Sequence, residues 1–304
     1  MRTTIEPEIT RRFVELDGRR ISYLNAGESA TTPSILLIHG SGVSAACWVN
    51  QLLSLSPAFR VTAIDLPGHG KSDPIPHASI DAYADTVAKL VEALGLGRVV
   101  VAGHSLGGAV ALALAARQRN VVTGLVLLAS CAKLPPVDNP GERWLAYLPG
   151  PLRRILFFSM AQKLLFAPGV PSRAISLGMQ ELRSCRAETI LQDVEAAKAM
   201  DLTQEATRLD VPALIMCGSR DRLTPLAASE HLAALIPRSR LSIVEGAGHM
   251  LLLEVPERVN YEIVDFARSL RVEVRSSVLA RELRGVSLIR RLLGWARSSA
   301  PKTA

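Results

Sequence analysis

A chain of 304 residues with 48% hydrophobic residues carries ample apolar material for one large core or two ordinary ones, and no apolar run approaches the ~18 residues of a membrane span. The net charge of +7 sits at one end: residues 271–304 hold eight Arg and Lys against two Glu, so residues 1–270 carry about +1, which gives no support for nucleic-acid binding by the fold. The N-terminal Met1-Arg2-Thr3-Thr4-Ile5-Glu6-Pro7 lacks an apolar leader core, and Cys47, Cys131, Cys185 and Cys217 show neither a C-x-x-C spacing nor a zinc-type pattern, so the expectation is a cytoplasmic protein with reduced thiols, no metal and no organic cofactor.

In chain order the first element is a hairpin: alternation through Arg12-Phe13-Val14-Glu15-Leu16, the Asp17-Gly18 pair, then Ile21-Ser22-Tyr23-Leu24. Six short apolar runs follow, Ile35-Leu36-Leu37-Ile38, Val61-Thr62-Ala63-Ile64, Val99-Val100-Val101-Ala102, Leu125-Val126-Leu127-Leu128, Ala213-Leu214-Ile215-Met216 and Leu241-Ser242-Ile243-Val244. Helical stretches separate them: 79–94, with Ile80, Tyr83, Val87, Leu90 and Val91 on one face, 226–236, and 256–270, which opens on a proline. This alternation predicts an α/β fold, a doubly wound and mostly parallel sheet with buried strands. The rhythm breaks over 133–209, which has no strand pattern and contains several helical segments. A core of 1–132 and 210–270 with an inserted helical cap at 133–209 and a basic tail at 271–304 is therefore expected. In the tail, Leu279, Leu283, Val286, Ile289 and Leu293 approximate a helical face that Arg290 and Arg297 share and Gly285 interrupts. That pattern predicts a solvated helix or a partly disordered end, with weak peripheral contact to an anionic lipid surface as the alternative.

Chemistry concentrates where strands end. Gly103-His104-Ser105-Leu106-Gly107 lies between an apolar strand and the helical run that begins Gly108-Ala109-Val110, which places Ser105 at the apex of a sharp strand-to-helix turn as a nucleophile. A serine hydroxyl needs a base, and the base needs a partner to fix its tautomer. His249, in the glycine-bearing loop after the last strand, and Asp221, in the loop after the strand before it, supply both on one rim of the sheet. The His39-Gly40-Ser41-Gly42 loop adds exposed amides, so the Ser41 and Leu106 N–H groups are the expected oxyanion hole. His39 and His104 read as packing or supporting residues, and His69, His77 and His231 as loop or helix-surface residues. Glu254 and Glu257 read as orienting the segment after His249 or capping the last helix.

On these residues the chain resembles the α/β-hydrolase superfamily over about 13–270. The order Ser105, Asp221, His249 agrees with it, as do His39-Gly40, Asp65-Leu66-Pro67-Gly68-His69-Gly70-Lys71-Ser72, Gly218-Ser219-Arg220-Asp221 and Gly246-Ala247-Gly248-His249 followed by Glu254-Val255-Pro256-Glu257. The resemblance implies a serine hydrolase cleaving a carboxylic ester, lactone or thioester of a small to medium apolar acyl or aromatic small molecule through an acyl-enzyme. Serine at the elbow sets aside the aspartate-nucleophile epoxide hydrolases and haloalkane dehalogenases. Ring-fission carbon–carbon hydrolases resemble the chain at His39-Gly40-Ser41-Gly42 but place asparagine where His104 stands, and they remain the alternative beside a ligand-sensing, signalling-type relative. Cap aromatics Trp144, Tyr147, Phe157 and Phe158 are the expected substrate-binding residues; the oligomeric state is left open.

Overall fold

A computed structural model describes residues 8–28, 33–134 and 150–270, so the expectations for Trp144, Tyr147 and the 271–304 tail lie outside the described residues. Two compact units are present, Met1–Ile263 and Val264–Ala304. The second is described only over 264–270, which is helical.

The first unit is built on one eight-stranded sheet. Its strands are β1 (Thr10–Leu16), β2 (Arg19–Ala26), β3 (Ser34–Ile38), β4 (Val61–Ile64), β5 (Val99–His104), β6 (Val122–Leu128), β7 (Ala213–Gly218) and β8 (Ser239–Val244), in the spatial order β1-β2-β4-β3-β5-β6-β7-β8. The opening hairpin turns at Asp17 and Gly18, both with positive φ (50° and 71°), the backbone of a two-residue turn matched to strand twist. β2 joins β4 antiparallel, and every later pairing is parallel. The central strands are buried except for Thr123 of β6, which is why their sequences read as apolar runs, whereas β8 at the sheet edge is only half-buried.

Between strands lie α1 (Val49–Leu55), α2 (Ile80–Ala93) and α3 (Leu106–Arg117). Ser79 caps α2 by accepting the Ala82 N–H at 3.0 Å, and Ile80, Tyr83, Val87, Leu90 and Val91 form its buried face, as the spacing predicts. Between β6 and β7 the described residues form only helices: α4 (Gly150–Leu165), α5 (Ser172–Ser184), α6 (Ala187–Ala199) and α7 (Thr203–Thr207). α8 (Leu226–Leu235) precedes β8, the short α9 (Leu251–Glu254) follows it, and helix then resumes at 256.

This strand order fixes where chemistry can occur. From β3 the chain steps to β4 on one side and then crosses to β5 on the other, so the connections leaving β3 and β5 diverge at the carboxyl edge and open a crevice between them. The His39–Gly42 loop and Ser105 are the residues that follow those two strands.

Candidate active site

Ser105 is the first residue after β5 and the N-cap of α3, with φ 52° and ψ −119°, a conformation that costs a non-glycine residue about 1–3 kcal/mol. The glycines around it are required by contact. A Cβ at Gly103 would lie 2.2 Å from the Gly107 carbonyl oxygen, and one at Gly107 would lie 2.4 Å from the carbonyl oxygens of both Ile38 and His39. The elbow is therefore wedged backbone to backbone against the end of β3. Ser130 Oγ, after β6, donates to the Ser105 carbonyl at 2.9 Å and steadies the turn from the other side.

Asp221 and His249 meet as the sequence predicts: Asp221 Oδ2 faces His249 Nδ1 at 2.8 Å, both side chains buried. The Asp221 carboxylate also accepts the backbone N–H groups of Leu223 (2.8 Å) and Thr224 (3.0 Å) and the Thr224 hydroxyl (2.8 Å). Burial pushes its pKa up, but the hydrogen bonds from His249 and Thr224 outweigh that and hold it below the ordinary carboxylate value. Thr224, whose hydroxyl also lies 3.3 Å from His249 Nδ1, is a site residue that the sequence reading missed.

The His249 loop is held on three sides. His104 Nε2 lies 2.9 Å from the His249 carbonyl oxygen; a carbonyl only accepts, so Nε2 carries the proton and Nδ1 is a lone pair, without a partner among the described residues. Burial, then the nearby His249, lowers the His104 pKa to about 3 and keeps it neutral. Leu165, at the end of α4, accepts the N–H groups of both His249 and Met250 at 3.1 Å. Glu254 accepts Gly248 N–H (2.8 Å) and Ala167 N–H (3.4 Å) on Oε2 and Met250 N–H (3.1 Å) on Oε1. Burial raises the Glu254 pKa in spite of those three amides. Glu254 thus orients the His249 segment, one of the two roles its spacing suggested.

No hydrogen bond joins the Ser105 hydroxyl to His249 among the described residues, although residue 104 carries the His249 carbonyl and their rings lie 4.9 Å apart. Leu106 is the first residue of α3, so its N–H has no acceptor within the helix and the helix dipole adds positive potential there. Ser41 lies in the loop next to Gly40, where a Cβ would sit 2.9 Å from His104 Nδ1 and 3.1 Å from Ser105 Cβ. Gly40, the residue before Ser41, therefore abuts the elbow, and Leu106 is part of it.

Phe157 is exposed, stacks edge-on against Phe158 at 5.3 Å, and the Arg183 guanidinium lies 5.4 Å from the Phe158 ring. Phe158 lines a cleft of about 430 Å³ with Ile155, Ser159, Gln162 and Arg183, and none of Ser105, Asp221 and His249 borders it. His77 and His231 are on the surface; His69 lies in the loop after β4, as expected, but is buried, 2.9 Å from the buried Asp193 of α6. Among the described residues no cluster of His, Cys, Asp and Glu is arranged to hold a metal ion, and no helix is long and apolar enough to cross a membrane.

Comparison with known proteins bears on the family of the fold. Pimeloyl-(acyl-carrier protein) methyl ester esterase of Neisseria meningitidis is 31% identical over 256 residues, covering 81% of this chain and 80% of its own. Non-heme chloroperoxidase of Streptomyces lividans is 32% identical over 275 residues, covering 83% and 98%. A solved thermophilic esterase superposes with a TM-score of 0.74 at 30% identity, covering 86% of this chain and 99% of its own. The alpha/beta hydrolase family pattern matches residues 35–262, and the chain belongs to that family.

Proposed function

We propose that the chain hydrolyses a carboxylic ester, with lactones and thioesters as chemically equivalent substrates, and that Ser105, His249 and Asp221 carry the reaction. The observation that supports this most directly is the buried Asp221–His249 pair at 2.8 Å, whose loop is docked on His104, the residue before a serine with φ 52°. Ser105 Oγ adds to the substrate carbonyl carbon while His249 Nε2 takes its proton. Asp221, kept ionised by its donors, holds Nδ1–H and balances the imidazolium charge. The Ser41 and Leu106 amides receive the negative oxygen of the tetrahedral intermediate. Collapse breaks the ester C–O bond, His249 returns the proton to the leaving alcohol, and an acyl-serine remains. Water then attacks that acyl carbon with His249 again taking the proton; the bond from the acyl carbon to Ser105 Oγ breaks, His249 returns the proton to Oγ, and the acid departs.

The esterase names of two relatives favour this chemistry over the carbon–carbon and signalling alternatives. The substrate class we assign is an uncharged small to medium acyl or aromatic ester. A panel of p-nitrophenyl esters from acetate to palmitate, with fluorophosphonate labelling of the serine, tests it. Ser105→Ala and His249→Ala should each lower kcat by about 10³-fold or more and abolish labelling. Near-full turnover by either folded variant would refute the assignment, and cleavage of highly charged esters alone would refute the substrate class.

A further inference from the structure

Between β7 and α8 runs the stretch Asp221-Arg222-Leu223-Thr224-Pro225, whose first residue is the aspartate paired with His249. An ionised carboxylate offers about four lone-pair directions, two on each oxygen, and donates nothing. Here each direction has a donor. Oδ1 accepts the N–H groups of Leu223 and Thr224, two and three residues ahead, the turn an aspartate makes when its side chain stands in for a backbone carbonyl. Oδ2 accepts the Thr224 hydroxyl at 2.8 Å and faces His249 Nδ1 at 2.8 Å. Thr224 alone supplies two of these donors, one from its backbone and one from its side chain.

The residue is well suited to hold that place. Thr224 is buried, and it precedes Pro225, whose ring disfavours helical backbone in the residue before it. Its branched Cβ leaves the side chain few rotamers. Pro225 in turn is the N-cap of α8, so the stretch passes directly into a helix packed on β7 and β8. The hydroxyl also has a second neighbour, since Oγ1 lies 3.3 Å from His249 Nδ1. Its single proton is committed to Asp221 Oδ2, so toward the imidazole it presents a lone pair. Nδ1–H therefore meets a near acceptor, Oδ2 at 2.8 Å, flanked by a farther one, Oγ1 at 3.3 Å. With its other direction occupied by the hydroxyl, Oδ2 leaves Nδ1–H one place to bond. Without the hydroxyl, a buried lone pair of Oδ2 would stand unfilled and the imidazole could swing between two directions about that oxygen.

We propose that Thr224 is a positioning residue: its hydroxyl fills the second lone pair of Asp221 Oδ2 and flanks His249 Nδ1, which confines the imidazole to the single orientation from which Nε2 takes the Ser105 proton. The proposal rests on the reading of Ser105, His249 and Asp221 as the groups that carry the reaction. Misplacing a reacting group by about 1 Å can cost about 10²-fold in rate, so freeing the imidazole to swing should cost about 10–100-fold.

The test compares three variants of the full chain with wild type, by steady-state turnover of p-nitrophenyl butyrate, by the rate of fluorophosphonate labelling and by Tm. Thr224→Val keeps the side-chain shape and the backbone N–H and exchanges the hydroxyl for a methyl group that fills the same space. It should lower kcat and the labelling rate together by about 10–100-fold with KM changed less than about three-fold. Thr224→Ser keeps the hydroxyl without the methyl group and should restore kcat to within about three-fold of wild type. Thr224→Ala differs from the serine variant by the hydroxyl alone and should lie at least about 10-fold below it in kcat, a comparison that decides the matter where the valine variant does not fold. Wild-type kcat and labelling in folded Thr224→Val, or equal kcat in the serine and alanine variants, would overturn the proposal and leave the nucleophile standing. A hydroxyl that only stabilises the stretch would give the first of these results, with Tm lowered and kcat unmoved. Wild-type protein that neither turns over nor labels at Ser105 would overturn both readings.

Discussion

At the scale of single residues, the elbow shows why a five-residue motif can be read without coordinates. Gly103 and Gly107 stand where a side chain would overlap main-chain atoms at 2.2 and 2.4 Å, and backbone held by a sheet on both sides does not move aside as a flexible side chain does. Gly107→Ala is therefore expected to disrupt folding itself: little soluble protein, or a Tm lowered by more than about 10 °C, the consequence of a several-kcal/mol overpacking cost. Circular dichroism melts of the purified variant check this, and a wild-type Tm would show that the approach of α3 to β3 is not as close as described. The same logic explains what stayed hidden. Thr224 supports Asp221 through a hydroxyl three residues away, and threonine after a strand is too common to signal anything. His69 looks like any loop histidine until its partner, 124 residues later, is folded against it.

Elements add a second layer, because the His249 loop has almost no regular structure of its own and takes its shape from neighbours. Leu165 and Ala167, at the end of α4, and Glu254, in α9, together engage the amides of Gly248, His249 and Met250 or each other. Both Glu254 oxygens act as acceptors, so an amide cannot replace the carboxylate: its NH₂ would face a backbone N–H on whichever side it lay. Glu254→Gln should accordingly lower kcat on a short p-nitrophenyl ester by about 10-fold and lower Tm, with KM little changed. Steady-state kinetics at 25 °C decide it; full activity would mean that His249 is positioned by His104, Asp221 and the Leu165 carbonyl without Glu254. Strands and helices of the sheet were legible in the sequence because buried parallel strands and amphipathic helices write their periodicity locally. These anchors were not, since they run through main-chain carbonyls or join stretches 87 residues apart, as Ala167 and Glu254 are. The helical aromatics Phe157 and Phe158 show the limit of composition: it pointed to a pocket, whereas in the structure Phe157 is exposed and Phe158 lines a cleft that none of Ser105, Asp221 and His249 borders.

For the molecule as a whole, the same burial that positions the site should make stability depend on pH. His39 is lowered to about 4 and His104 to about 3, in both cases mainly by burial and next by a neighbouring histidine, from an ordinary value of 6.5. Between those limits the unfolded chain binds protons that the native chain refuses, so the unfolded state holds more protons and unfolding free energy rises with pH. The contribution is complete above pH 6.5 and is lost as pH falls toward about 4 for His39 and about 3 for His104. By pH 5 each has already cost about 2 kcal/mol relative to neutral pH, a large share of an ordinary domain's stability. Asp193 and Asp221, held below the ordinary carboxylate value of 3.8, act with the same sign but only in more acid solution. Glu254, raised above 4.5, opposes the trend by keeping its native proton longer, so the summed slope alone is ambiguous and a difference is needed. His104→Gln supplies it, because the amide can still donate to the His249 carbonyl but cannot titrate. Urea unfolding across pH 6 to 5 should show the variant's slope reduced by close to one proton, about 1.4 kcal/mol per pH unit. An unchanged slope would mean that His104 titrates natively near its ordinary value, and that the contact on which the His249 loop rests is open to water.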